Sequence, residues 1–320
     1  MPKSQKKEEI LSLLSQIQEN PTTEEAIAIL RQVLNSKYSV AIARAAKIAG
    51  KFAIVDLIPE LVAAFTRMMV NPTVTDGGCL AKKEIAQTLY YLEYSNESLF
   101  LEGIHHVQME PVWGGKEDTA AHLRGICALG LVRMNYSDVM NELADLLADP
   151  QPEARVAAAK AIAYTSNSQG VPLLRLKVRL GDPAPQVLSE CFTALLQLAP
   201  QQSVSLVGSF LLASEEQVCE LAALALGESR LDAAFATLKN WWEKTKNPEL
   251  SRTGLLAIAM LRNEQAFEFL MSLIAEGKHI DAKNAIAALS IYQNDLELWK
   301  RVCQVVEQRG DMKLMQETQS

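Results

Sequence analysis

The chain offers little material for a metal centre or a covalent framework: it has four histidines and five cysteines in 320 residues. The cysteines, Cys79, Cys127, Cys191, Cys219 and Cys303, are widely separated, odd in number and form no CxxC pair. That spacing argues against both a disulfide scaffold and a zinc module. Basic residues are also short, 31 against 38 acidic for a net charge of −7, and both halves carry a similar acidic excess. Nucleic-acid affinity rests mainly on Lys and Arg at phosphates, so bulk electrostatics argues against a nucleic-acid partner. No apolar run is long enough to span a bilayer, so no membrane association is expected. The opening MPKSQKKEEILSLL reaches acidic residues and an amphipathic pattern before any apolar signal core; the expectation is a cytoplasmic protein without a secretory signal. Sustained period-two alternation is missing as well, so no sheet is expected.

What the chain has is repetition. Ala-rich segments recur at roughly 30 to 40 residues, the length of a two-helix unit. They read ARAAKIAG at Ala43, KEIAQTL at Lys83, LRGICALG at Leu123, VAAAKAIA at Val156, SECFTALL at Ser189, ELAALALG at Glu220, GLLAIAML at Gly254 and KNAIAALS at Lys283. A more amphipathic segment precedes each, such as LIPELVAAFTRMM or DVMNELADLLAD, with apolar residues returning at helical spacing. Breakers such as Asp149-Pro150, Gly181-Asp182-Pro183 and Asn247-Pro248 separate them. Small side chains are needed where three helices meet, whereas Leu and Ile fill wider gaps. One helix pair cannot bury such a surface alone, but stacked pairs can.

These residues carry a family resemblance. The stretch DPQPEARVAAAKAIA, Asp149 to Ala163, resembles the HEAT-repeat signature, in particular the short bacterial type also found in phycobilin lyases, and GDPAPQVLSECFTALLQL at Gly181 is a weaker copy. The resemblance implies an all-α, right-handed α-solenoid of about eight stacked antiparallel helix pairs, the second helix of each lining a concave side. It also implies an inter-repeat polar ladder through Asp149 and Arg155, broken where Leu188 replaces the Arg. The expected organisation is a capping helix in residues 1–21, a solenoid over 22–308 closed by a helix at Leu296 to Gln308, and a polar, fraying tail over 309–320.

Two repeats are longer than the rest, and both carry the excess in the turn from first helix to second. One reads VNPTVTDGGCLAKKE from Val70 and the other HHVQMEPVWGGKEDTA from His105, giving enlarged loops at 70–79 and 107–117. Equivalent turns of a solenoid emerge on one edge, so the two insertions should lie side by side. Each holds a Pro, then Gly-Gly, then a helix start whose unpaired N–H groups and dipole suit an anion. Asp76 and Asp118 are first read as those anions, capping their own helices, ahead of an external ligand.

The candidate partner-binding residues are Asp76, Cys79, Lys83, Tyr90, Tyr91, His105, His106, Glu110, Trp113, Lys116, Asp118 and His122. The histidines lack HxxxH or HExxH spacing, so a satisfied or exposed imidazole takes precedence over a metal ligand. HEAT-type di-iron hydroxylases carry repeated His-Glu pairs, which do not occur here. Cys79 beside Gly-Gly at a helix start is the best candidate for a reactive thiol, though a small semi-buried turn residue is the simpler reading. Trp113 is read as a plug over the repeat core slightly ahead of a stacking face, with Tyr90 and Tyr91 offering aromatic contact area. Of Trp241 and Trp242, one belongs in the core.

No catalytic constellation emerges, and neither a cofactor nor a metal is expected. The leading expectation is a non-catalytic protein- or peptide-binding scaffold using the concave groove and edge loops. The alternative is a bilin lyase-like or other cofactor- or metal-handling enzyme with its site within residues 76–122. A nucleic-acid track through Arg44, Lys82, Lys83, Arg124, Arg155, Arg252 and Lys283 is the weakest of the three.

Overall fold

The computed structural model describes residues 10, 12–15, 17 and 21–318. Its fold is an all-α solenoid of consecutive helix pairs, in two compact units, Met1–Thr165 and Ser166–Ser320.

In the first unit the pairs are α1 (Glu24–Leu34) with α2 (Ser39–Lys51), α3 (Ile58–Met69) with α4 (Leu80–Tyr91), α5 (Glu97–Ile104) with α6 (Ala121–Arg133), and α7 (Val139–Leu147) with α8 (Pro152–Tyr164). The second helices α2, α4, α6 and α8 pack in order against one another. Their small residues make this approach possible: Ala41, Ala45, Ala46 and Ala49 on α2, and Ala154, Ala158, Ala159 and Ala161 on α8, are all fully buried. The expected N-terminal cap, Glu8 to Gln18, lies partly outside the described residues; within them Leu14 and Ile17 are buried.

In the second unit the pairs are α9 (Gly170–Leu180) with α10 (Pro185–Leu198), α11 (Pro200–Ser209) with α12 (Glu216–Glu228), α13 (Asp232–Lys244) with α14 (Pro248–Met260), and α15 (Glu264–Glu276) with α16 (His279–Leu289). A closing helix α17 (Leu296–Arg309) and a short α18 (Met312–Glu317) follow. Second helices pack so tightly here that a Cβ on Gly227 of α12 would overlap the Ala257 backbone of α14. Trp241 is buried, while Trp242 is half-buried and meets Phe269 edge-on at 5.5 Å between ring centroids.

The segment after Gly310 departs from expectation. It is helical from Met312 to Glu317 with Leu314 fully buried, and a His279–Asp311 hydrogen bond at 2.8 Å and a Lys283–Glu317 ion pair at 2.6 Å tie it to α16. One apolar residue at the right register and an Asp311 cap on the Lys313 N–H outweigh the polarity of the segment.

The second departure is a sheet. Residues Met109–Val112 (β1) and Gly115–Asp118 (β2) pair antiparallel, with Val112 opposite Gly115 and Met109 opposite Asp118. The two-residue turn is Trp113-Gly114, and Gly114 takes φ of +91°, a conformation open to glycine at little cost. Pro111 and four charged residues hide the strand pattern in the sequence.

Candidate functional site

Both insertions belong to the first unit, and each folds around a buried carboxylate. In the first, the loop between α3 and α4 closes on Asp76, which is fully buried. Its two oxygens accept the N–H groups of Ala81 at 2.8 Å and Lys82 at 3.0 Å, capping α4. The Lys82 ammonium, also fully buried, pairs with Asp76 at 3.1 Å and donates to the Met68 carbonyl at 3.2 Å. Thr75 adds a hydroxyl hydrogen bond to the same Met68 carbonyl. This loop therefore consumes its own ammonium and carboxylate.

In the second insertion Asp118 anchors the base of the hairpin. It accepts the N–H groups of Gln108 and Ala120, each at 3.0 Å, and pairs with Arg124 at 2.7 Å. Arg124, itself buried, grips Asp149 bidentately at 2.8 and 2.9 Å and donates to the His106 carbonyl at 2.9 Å. Burial opposes ionisation of Asp118, but those hydrogen bonds and the Arg124 charge outweigh it and hold the carboxyl below its ordinary range. Arg124 thus makes an inter-repeat step to Asp149, and Arg155 donates to the Asp149 and Pro150 carbonyls at 2.8 and 2.9 Å.

The two insertions then bind each other. Gln108 Nε2 donates to the Asp76 carbonyl at 2.8 Å and to Glu110 Oε1. The same Glu110 oxygen accepts the Gly78 N–H at 2.7 Å and the Thr119 hydroxyl at 3.2 Å. Desolvation opposes ionisation of Glu110, yet the donations from Gln108, Gly78 and Thr119 and the nearby Lys82 charge prevail, leaving its carboxyl below the usual range. The Gly-Gly amide that the sequence offers to an anion is thus met by a carboxylate of the neighbouring loop.

Of the other candidates, Cys79 and His106 border this network and the rest lie apart from it. Cys79 is buried, and burial pushes its thiol up to about 12 despite Lys82, which favours the turn-residue reading over the reactive thiol. His106 is half-buried beside Gln108 at 3.2 Å, and burial lowers its basicity. His105 turns away to Glu142 at 2.7 Å. Lys83 and His122 instead line a cavity of about 340 Å3 on the face of α4, α6 and α8, beside Gln87, Ile126 and Glu153. Tyr90 and Tyr91 sit at the far end of α4, 5.8 Å apart, with the Arg133 guanidinium 5.5 Å from the Tyr90 ring. Among the described residues no group of three or more His, Cys, Asp or Glu is placed to hold a metal ion.

Trp113 corrects the expectation of a plug. At 103% relative exposure it stands clear of the core at the hairpin tip, with Lys116 exposed on the returning strand. Val107, Met109 and Val112 of the same insertion are exposed, as are Val70, Val74 and Leu80 on the other. Gln108, Lys82 and Arg124 are the organising residues that sequence reasoning missed as a site. The alternation of buried Gln108 with exposed Met109 was the available signal, but it spans too few residues to stand out.

The supposed basic track is largely dismantled. Lys82, Arg124 and Arg155 are buried and committed, Arg252 pairs with Glu249 at 2.9 Å, and Lys283 pairs with Glu317. Among the described residues no helix is long and apolar enough to cross a membrane.

Fold and site together define an α-solenoid carrying a braced edge platform. No protein-family description matches the chain. No curated protein matches it in sequence. Among solved structures it is similar to an engineered protein at 16% identity and TM-score 0.39, covering 98% of this chain and 93% of the other. It is also similar to the complex of CpcE and CpcF of phycocyanin lyase from Nostoc sp. PCC7120, at 15% identity and TM-score 0.38, covering 91% and 94%. Human deoxyhypusine hydroxylase in complex with glycerol follows at 15% identity and TM-score 0.32, covering 82% and 92%.

Proposed function

We propose that this chain is a non-catalytic scaffold of HEAT-like repeats that binds a protein or peptide with the edge platform and the adjoining second-helix face of its first unit. The observation that carries the reading is Trp113, fully exposed on a hairpin whose base is fixed by buried ion pairs. An aromatic presented on a braced hairpin that also exposes Met109 and Val112 suits the anchor of a protein interface, where Trp contributes disproportionately to binding energy. The reading of a lyase-like or metal-handling site loses its motive, because Asp76, Glu110 and Asp118 are engaged by protein donors and Cys79 is a buried thiol.

The test is site-specific photo-crosslinking in cells with a benzophenone side chain at position 113, against the same group at Leu212, an exposed position of the second unit. The expected result is one discrete adduct from position 113, lost when Met109→Asp and Val112→Asp are introduced together. Equal labelling from both positions would overturn the reading.

A further inference from the structure

The exposed face of α2 carries Arg44, Lys47 and Lys51, and the helix contains no acidic residue. No ion pair engages Arg44, Lys47 or Lys51 among the described residues. They border a cavity of about 350 Å3 with an apolar floor of Leu14 and Ile48 and an apolar rim at Phe52, over whose ring the Lys51 ammonium lies at 5.2 Å. Positive charge is thus concentrated beside a hydrophobic hollow in a chain of net charge −7.

We infer that this groove receives an acidic amphipathic segment of the partner protein, carboxylates on the Arg44–Lys47–Lys51 stripe and an apolar residue over Leu14, Ile48 and Phe52. The spacing favours an extended polyanion over a compact one. Steps of three and four residues place the cations along about 10 Å of helix axis, the rise between carboxylates at i, i+4 and i+7 of a partner helix. A single phosphate would leave part of the stripe unmatched. The apolar floor favours a peptide over a nucleic-acid backbone, which would meet charge alone. The acidic excess elsewhere disfavours other placements of the same segment, so charge complementarity sets where it docks as well as whether it binds.

This inference deepens the partner-binding reading, and its test separates the two. A fluorescein-labelled helical peptide of about fourteen residues, with Glu at i, i+4 and i+7 and Leu between, is titrated into the full chain and followed by anisotropy. An otherwise identical Gln peptide, inorganic phosphate and a single-stranded oligonucleotide are the comparison probes. The Glu peptide is expected to bind at least about tenfold more tightly than the Gln peptide and to weaken with added salt. Lys47→Glu with Lys51→Glu should abolish that difference without shifting the melting temperature, and Trp113→Ala should leave it intact. Equal binding of the Glu and Gln peptides, or tighter binding of phosphate or oligonucleotide, would overturn the inference. Crosslinks from position 113 that persist in such a case would leave the hairpin reading standing; their loss with peptide binding intact would remove the hairpin and keep the stripe.

Discussion

Lys82 shows how far a residue's role depends on what lies above it in the fold. In sequence it is one of two adjacent lysines and reads as a cation for a partner; in the structure it is fully buried against Asp76 and the Met68 carbonyl. Removing one member of a buried pair strands the other, at about 3–5 kcal/mol, whereas removing both is far milder. Lys82→Met is therefore expected to lower unfolding free energy by about that amount in denaturant titrations, and adding Asp76→Asn should restore much of it. Cys79 makes a second residue-scale case. With its thiol pushed up to about 12 by burial, it should resist thiol reagents in the native protein while half-exposed Cys303 reacts first. Rapid modification of Cys79, mapped by mass spectrometry, would contradict that placement.

At the scale of elements, the second helices share an ending that the repeats conceal. Ala53, Glu93, Asn135, Ser166, Arg230 and Arg262 each follow such a helix with φ between 50° and 57°, the left-handed region that favours glycine. In the first unit the next N–H closes the turn: Ile54 to the Ala49 carbonyl, Tyr94 to Leu89 and Tyr136 to Leu131. Exposed Ala53 and Glu93 carry conformational strain of roughly 1 kcal/mol each. Ala53→Gly and Glu93→Gly are expected to raise the melting temperature, and a fall in both would refute the assignment of strain to these turns.

The helices themselves were legible because Ala spacing reports directly on which faces must approach. Asp76 was legible too, since an Asp ahead of a helix start is a cap by local chemistry alone. The hairpin was not: four residues per strand, one of them Pro111, give alternation too little length to register. The outward Trp113 was equally hidden, because the hairpin that carries it turns at Gly114 and is anchored at its base by the Asp118–Arg124 pair.

In the molecule as a whole, two insertions from successive repeats form one braced platform that presents Trp113. The braces are carboxylates, and the pH dependence follows from them. Glu110 and Asp118 have folded values held below the ordinary range, so their contribution is complete above an unfolded carboxylate value of about 4 and is lost as pH falls through the folded values. Acid should therefore loosen the platform, with protection of its amides constant above that range.

Amide hydrogen exchange at Gly78, resolved by NMR at neutral pH in the intact chain and in Glu110→Ala, tests the platform most directly. The predicted result is a protected Gly78 N–H whose exchange accelerates by about tenfold or more in the variant, the loss of one charge-assisted hydrogen bond. Exchange at the unprotected rate in both proteins, or protection unaltered by the substitution, would contradict it.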